Sequence, residues 1–222
     1  MSPVSPVGAA RPVPTPYGEG RLVVHRAPRG RFATLVLSHG AGNGVEARDL
    51  AALAADLPRQ GITVALFEQP WRVAGRRIAT APPTLDVGLT AAVGLLRPAA
   101  PWVLGGRSAG ARSAARCAAR LGATGCLALA FPLHPPGRPE SSRLGELESL
   151  HDEAVPTLVV QGERDPMGRP EEFPETTELA VVPAADHGFK VPVRGPLSQA
   201  DALALVVEVT LEWIVREVAG NP

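Results

Sequence analysis

The sequence predicts an α/β fold, a mostly parallel sheet with helices on both faces, on the strength of three observations. Short runs rich in β-branched residues alternate with alanine-rich stretches of helical periodicity. Most of these runs are apolar at nearly every position, as in strands that are buried on both faces. Apolar residues make up 45% and charged residues 20% of the 222 residues, which is typical of a globular chain.

Seven strands and four helices with defined bounds are predicted after an N-terminal arm, besides one helix in the segment 132–156. The arm, from Met1 to about Gly20, is rich in proline and glycine, and we expect it to be disordered or extended. Residues 21–222 are expected to form a single domain. The predicted strands are 22–25, 34–38, 62–67, 102–105, 126–131, 157–161 and 179–182, and the predicted helices are 48–60, 84–96, 109–121 and 199–218.

The charge balance and hydropathy exclude several classes of partner. Lysine plus arginine equals aspartate plus glutamate at 22 each, so nothing in the net charge favours nucleic acid or an anionic membrane. No run approaches the roughly 20 apolar residues of a membrane span, and the first 20 residues lack a signal-peptide pattern. We therefore expect a cytoplasmic protein with no nucleic-acid or membrane partner, and the oligomeric state stays open. Arg112, Arg116 and Arg120 recur every four residues, which predicts a solvated helix face or, alternatively, an anion site.

Residues 106–110 read Gly-Arg-Ser-Ala-Gly and match the pattern G-x-S-x-G. The pattern lies between a predicted strand and a predicted helix, which is the setting of a nucleophile elbow. Glycines are needed there because a Cβ would collide with the neighbouring strand or helix in so sharp a turn. Ser108 is therefore the candidate nucleophile. The alternative is an ordinary strand-to-helix turn in which Ser108 caps the helix.

Residues 39–42, His-Gly-Ala-Gly, follow the second predicted strand and predict an oxyanion hole. Glycines let this loop fold close to the elbow, so that the N–H groups of Ala41 and Ala109 can point at one spot. Two such donors stabilise the negative charge of a tetrahedral intermediate. The alternative is a flexible glycine-rich loop. His39 is expected to hold the loop by hydrogen bonding.

Asp165 and His187 each follow a predicted strand, in the chain order serine, acid, histidine. A serine hydroxyl needs an imidazole to take its proton, and the imidazole needs a carboxylate that fixes its tautomer. Of the five histidines, only His187 combines a loop after a strand with a position beyond the acid. Glu163 and Asp186 compete with Asp165 for the role of the acid. Asp186 adjoins the histidine in sequence, which is poor geometry for an oriented hydrogen bond.

Together these four loops resemble the α/β-hydrolase superfamily, and more narrowly its small, capless, dienelactone-hydrolase-like branch. That branch includes the hydrolase-like domain of a subunit of the NSL histone-acetyltransferase complex, and residues 131–137, Phe-Pro-Leu-His-Pro-Pro-Gly, look like one of its signatures. The resemblance covers the chain from about Gly20. It implies a serine hydrolase that cleaves an ester, thioester or related acyl bond of a small molecule, with no cofactor and no metal. Some relatives in the branch serve as scaffolds, so a non-catalytic binding protein is the alternative.

The segment after the fifth predicted strand is too short for a cap domain. It spans 25 residues, 132–156, and we expect a loop and one helix that leave the site open. Three residues are candidates for substrate contact: Arg107 beside the nucleophile, His134 above the carboxyl edge and Trp71 on the pocket wall. Each has a structural alternative, which is an ion pair for Arg107, packing among prolines for His134 and capping of the core for Trp71.

Overall fold

A mostly parallel sheet forms the centre of the protein in the computed structural model, which describes residues 8–28 and 30–220. Its strands are β1 (Arg11–Thr15), β2 (Gly18–His25), β3 (Ala33–Ser38), β4 (Ile62–Glu68), β5 (Trp102–Arg107), β6 (Gly125–Leu129), β7 (Thr157–Gly162) and β8 (Glu178–Val182). The strand order is β1-β2-β4-β3-β5-β6-β7-β8. All pairs from β4 to β8 are parallel, whereas β2 pairs antiparallel with both β1 and β4. The predicted fold class is confirmed.

Helices cover both faces of this sheet. They are α1 (Arg48–Asp56), α2 (Pro70–Val73), α3 (Pro82–Leu96), α4 (Ala109–Cys117), α5 (Gly145–Asp152) and α6 (Gln199–Trp213). α1 and α6 share one apolar cluster with one face, and α3, α4 and α5 share a second cluster with the other. α1 is shorter than predicted because the chain tightens into a 3-10 turn at Leu57–Gln60, where Pro58 supplies no N–H. Ser198 caps the start of α6, since its hydroxyl accepts the Asp201 N–H, and the helix continues as a π-helical turn over Ile214–Val218.

The central strands are buried at every residue, and this fixes where the functional loops lie. β3, β4, β5 and β6 show no exposed position, in keeping with their continuous apolar runs. Because they are parallel, their carboxyl ends meet at one edge of the sheet. The loops that follow β3, β5, β7 and β8 therefore come together there, although they are far apart in the chain.

The N-terminal arm, predicted to be disordered or extended, is extended over the strands that it contributes but is not disordered there. Residues 11–20 are not a free arm, because β1 and the start of β2 form an antiparallel hairpin at the edge of the sheet. Val13 in β1 is only 1% exposed and packs into the core. Prolines in β1 signalled disorder by composition, but an edge strand tolerates residues that donate no N–H. Residues 1–7 of the predicted arm lie outside the described residues.

The arginines of α4 are a correction to the prediction. Arg116 donates to both Asp86 on α3 and Glu146 on α5, at 2.7 and 2.8 Å. Arg112 donates two hydrogen bonds to the Glu146 carboxylate, at 2.6 and 2.8 Å. These side chains are less than a quarter exposed, because three helices converge on them. Arg112 and Arg116 therefore line neither a solvated face nor an anion site but a network that ties α3, α4 and α5 together.

Asp86→Asn is expected to lower the free energy of unfolding by about 2 kcal/mol, because it leaves a half-buried arginine short of its counterion. Urea unfolding followed by circular dichroism would measure the loss. Asp56→Asn is the matched control, since its ion pair with Arg59 is half exposed on both sides and is expected to contribute less than about 0.5 kcal/mol. Equal losses in the two variants would contradict the structural role of the network.

The connection from β6 to β7 carries the single short helix α5, as predicted, and no cap domain. β6 ends at Leu129, two residues before the predicted end, because Ala130 turns the chain with a φ of 46°.

In the parts of the chain described here, no helix is both long enough and apolar enough to cross a membrane.

Candidate active site

Ser108 lies at a strained turn between β5 and α4. Its φ of 54° and ψ of −113° are unusual for a residue with a side chain, and such strain is a feature of functional sites. The flanking glycines make the turn possible. A Cβ on Gly106 would lie 2.4 Å from the carbonyl carbon of Gly110, and a Cβ on Gly110 would lie 2.3 Å from the Ser38 carbonyl oxygen. The sequence pattern therefore forms a nucleophile elbow in three dimensions.

His187 bridges Ser108 and Asp165 in a single hydrogen-bonded line. Its Nε2 lies 3.0 Å from the Ser108 Oγ, and its Nδ1 lies 2.7 Å from the Asp165 Oδ2. An ionised carboxylate only accepts, so Nδ1 carries the hydrogen and Nε2 is left to accept the serine hydroxyl. The serine and the histidine are 79 positions apart in the chain, and the parallel sheet brings them together.

Asp165 is fully buried, and its oxygens are held by two further donors. The Met167 N–H donates to Oδ1 at 2.8 Å, and the side-chain amide of Gln161 donates to Oδ2 at 3.0 Å. These bonds fix the carboxylate in the plane that the imidazole requires. Gln161, at the end of β7, was not singled out from the sequence, although a polar residue in an otherwise apolar strand was the available signal.

The two competing acids point elsewhere. Glu163 accepts the Ala184 N–H at 2.6 Å and so joins the two loops that carry Asp165 and His187. Asp186 accepts the N–H groups of Gly188 and Lys190, at 2.8 and 2.9 Å, and stabilises its own turn. Asp165 is the acid that the structure places against the imidazole.

The loop after β3 packs directly on the elbow. A Cβ on Gly40 would lie 3.1 Å from both the Arg107 carbonyl oxygen and the Ser108 Cβ. Ala41 follows on the exposed side, and its N–H donates to no described residue. Ala109 is the first residue of α4, so its N–H has no partner within the helix. Ala109 directly follows Ser108, and Ala41 follows the glycine that packs on the elbow, while the convergence of their N–H groups on one spot stays a prediction.

His39 holds this loop to the end of β4. Its Nδ1 lies 2.8 Å from the Gly40 carbonyl oxygen, and its Nε2 accepts the Gln69 N–H at 3.0 Å. Burial lowers the pKa of His39, so the ring is neutral with its hydrogen on Nδ1. The side-chain amide of Gln69 reaches on to the Ser38 hydroxyl at 3.3 Å. Gln69 was missed in the sequence, because a single glutamine after a strand carries no distinctive pattern.

The lowered pKa of His39 makes the fold sensitive to acid. Below the ordinary histidine pKa of about 6.5 the unfolded chain binds a proton that the folded chain does not, so stability falls as the pH falls from there toward the folded value. Urea unfolding at pH 7.5 and 5.5 is expected to show a larger loss for the wild type than for His39→Gln, with a difference of at most about 1.4 kcal/mol per pH unit. An equal loss in both proteins would show that His39 does not contribute.

Three residues were candidates for substrate contact, and the structure turns each of them toward the protein. Arg107 donates to the His187 carbonyl oxygen at 2.6 Å and pairs with Asp49. The His134 Nδ1 lies 2.9 Å from the Pro135 carbonyl oxygen and its Nε2 lies 2.8 Å from Glu172, and these contacts, the first above all, raise the pKa of His134. Trp71 is buried and packs against His39, with ring centroids 5.4 Å apart. For Arg107 the ion pair is the structural alternative that the sequence had left open, whereas His134 contacts Glu172, a partner that the sequence had not indicated.

Neither cysteine takes part in the site. Cys117 and Cys126 are free and buried, and burial raises the pKa of the Cys126 thiol to about 12. Across residues 8–28 and 30–220, no group of three or more histidine, cysteine or acidic residues is arranged to hold a metal ion.

The fold and this site define a class of protein. A family model described as an alpha/beta hydrolase domain matches residues 31–215, and the chain belongs to the α/β-hydrolase family. Among solved structures, it is similar to a serine hydrolase without a lid from Xanthomonas campestris, at 20% identity and a TM-score of 0.68, with 100% of both chains covered. It is also similar to a dienelactone hydrolase from Anabaena variabilis, at 19% identity and a TM-score of 0.71, with 96% of this chain and 98% of that chain covered.

A serine hydrolase homologue from Coxiella burnetii is similar in the same way, at 20% identity and a TM-score of 0.67, over 94% of this chain and 99% of that chain. No curated protein sequence matches the chain. The resemblance to capless, dienelactone-hydrolase-like proteins is confirmed at the level of the fold. The narrower resemblance to the NSL-complex subunit stays a prediction.

Proposed function

We propose that this protein is a serine hydrolase that cleaves an ester, thioester or related acyl bond of a small molecule through an acyl-enzyme. The observation that carries the proposal is the line from the Ser108 Oγ through His187 to the Asp165 carboxylate, with contacts of 3.0 and 2.7 Å. The strained elbow supports it, because backbone strain of this kind clusters at functional sites such as active sites.

In the proposed mechanism the Ser108 oxygen attacks the acyl carbonyl carbon while His187 Nε2 takes the hydroxyl proton. Asp165 stabilises the imidazolium that forms. The oxyanion of the tetrahedral intermediate accepts hydrogen bonds from the N–H groups of Ala41 and Ala109. Collapse breaks the bond to the leaving group, which receives the proton from His187. A water molecule, deprotonated by the same imidazole, then attacks the acyl carbon, and the bond from that carbon to the Ser108 Oγ breaks. His187 returns its proton to the Ser108 oxygen, which releases the acid and regenerates the serine.

The absence of a cap supports a preference for short acyl chains. The connection between β6 and β7 holds one short helix instead of a cap, so no cap domain is present there to enclose a long acyl chain. Short p-nitrophenyl esters and short acyl-thioesters are the substrates we propose to try first. The proposed cytoplasmic location and the absence of nucleic-acid and membrane partners stay predictions.

A fluorophosphonate probe tests the proposal directly, because it reacts only with an activated serine. The folded wild type is expected to be labelled and to hydrolyse p-nitrophenyl acetate, and Ser108→Ala is expected to do neither. Ser113→Ala is a matched control, since Ser113 is buried on α4 and its hydroxyl contacts Asp86 at 2.7 Å. A folded wild type without labelling or turnover on an acyl panel would favour the non-catalytic binding protein instead.

A further inference from the structure

A buried arginine lies beneath the loop that carries His187. Arg107 occupies the first unspecified position of the G-x-S-x-G pattern, between Gly106 and Ser108, and it is only 6% exposed. Its Nη2 donates to the main-chain carbonyl of His187 at 2.6 Å, across 80 positions of the chain. This bond holds the backbone of the imidazole-bearing residue, not its ring.

The counterion of this arginine comes from a different layer of the fold. Asp49, in the first turn of α1, is 1% exposed, and its Oδ2 lies 3.7 Å from the Arg107 Nε. Burial raises the pKa of the Asp49 carboxyl, whereas the guanidinium and the N–H groups of the first helical turn oppose that rise. In the described part of the chain, neither Asp49 oxygen has a partner with hydrogen-bond geometry, so Arg107 is its main electrostatic partner.

The guanidinium also fills the space between two functional loops. A Cβ on Gly40 would lie 3.2 Å from its Nη1, and a Cβ on Gly188 would lie 3.7 Å from its Nη2. Gly40 belongs to the loop of the oxyanion hole, and Gly188 follows the histidine. A planar, permanently charged group with donors at both ends suits this position, and a lysine would reach only one of these neighbours at a time.

We propose that Arg107 and Asp49 form a buried ion pair that positions His187 for catalysis, so that Arg107 is a positioning residue and not a substrate-binding one. The inference rests on the proposed serine hydrolase function.

The geometric part of the proposal is the hydrogen bond from Arg107 to the His187 carbonyl oxygen. This bond fixes the position of the His187 backbone, from which the imidazole extends. The electrostatic part of the proposal is the Asp49 carboxylate, which neutralises a guanidinium that would otherwise oppose the imidazolium formed during attack. The charged groups beside His187 are Asp165 at its Nδ1, Arg107 at its main-chain carbonyl and Asp49 behind Arg107. Asp186, on the same loop, accepts backbone N–H groups of its own turn and does not contact the ring.

Steady-state kinetics on p-nitrophenyl acetate, with active enzyme counted by fluorophosphonate titration, separates the two roles. Arg107→Gln is expected to lower kcat about 100-fold with KM nearly unchanged, because the imidazole is displaced. Arg107→Lys is expected to recover part of that loss. If Arg107 instead bound the substrate, KM would rise and kcat would hold, and that result would overturn the proposal.

The electrostatic part has its own readout in the pH profile of kcat/KM. Asp49→Asn leaves the guanidinium charged and unpaired, so the acid limb is expected to move to lower pH by roughly 0.5 to 1 unit. In Arg107→Gln/Asp49→Asn the limb is expected to return to the wild-type position while kcat stays low. A purely structural pair would change the amount of folded protein but would leave the limb in place, and an unmoved limb overturns this part.

Matched controls and a folding safeguard complete the experiment. Asp56→Asn and Arg59→Gln remove an exposed pair from the same region and are expected to leave kcat, KM and the pH profile unchanged. If Arg107→Gln does not fold, the same kinetics are measured on Arg107→Gln/Asp49→Asn and on Arg107→Lys. Neither of these variants leaves a charged Asp49 without a counterion. A wild type that is not labelled overturns the proposed function, whereas a labelled wild type with unaltered Arg107 variants overturns only this inference.

Discussion

Asp165→Asn is expected to lower kcat about 10⁴-fold on an activated ester, with little change in KM. The amide can donate to the imidazole Nδ1, which would leave the hydrogen on Nε2 and prevent that atom from taking the Ser108 proton. The protein is expected to stay folded, because the amide still accepts the Met167 N–H that now contacts the Asp165 Oδ1. Initial rates on p-nitrophenyl acetate, corrected for folded protein by circular dichroism, would measure the effect.

The competing acid on the same loop supplies the control. Glu163→Gln removes a charge two positions away, and its side chain contacts the Ala184 N–H and not the imidazole. We expect its kcat to fall less than about tenfold, because no charged group next to the reacting atoms is lost. If Glu163→Gln lost as much activity as Asp165→Asn, the assignment of the acid would be wrong.

Gly106→Ala is expected to destabilise the protein by about 3 kcal/mol or more and to abolish activity. The new methyl group would lie 2.4 Å from the Gly110 carbonyl carbon and 2.8 Å from the Ser38 carbonyl oxygen. Both are backbone atoms in the packed centre of the fold, so neither can move away as a flexible side chain would. Thermal and urea unfolding, together with probe labelling of any folded fraction, would measure both effects.

Gly94→Ala is the matched substitution at a site without this constraint. Gly94 is exposed on α3, and no atom outside its own helix lies within 4 Å of the added Cβ. Alanine restricts the unfolded chain and favours the helix, so a gain of about 0.5 to 1 kcal/mol is expected. Similar losses of unfolding free energy in Gly106→Ala and Gly94→Ala would contradict the close packing of the backbone at the elbow.

The strands and the order of the functional residues could be predicted because their signals are local. A continuous apolar run such as 62–67 predicts a buried strand by its own composition, without information on the rest of the chain. The elbow at Ser108 was recognisable because steric demands on adjacent residues restrict the turn to glycines. The candidate acid and base followed from their positions after strands, since parallel strands end at one edge.

The predictions that were wrong had been made from local composition and spacing, without knowledge of the contacts between distant segments. Prolines near Val13 indicated a free arm, yet β2 offers an edge on which such a segment can pair. The arginines of α4 looked solvated because the helix pattern contains no information on Asp86 and Glu146, which come from two other helices. In both cases the deciding contact was made by a segment distant in sequence.

The sequence by itself determined the fold class, the absence of a cap and which residues are candidates for nucleophile, base and acid, because each depends on neighbours along the chain. Only the tertiary structure decided which carboxylate meets His187 and which way Arg107 points. Those outcomes depend on desolvation and on distances between loops that the sheet brings together. A buried charge such as Asp49 is tolerable only with its partner beside it, and no local pattern specifies that partner.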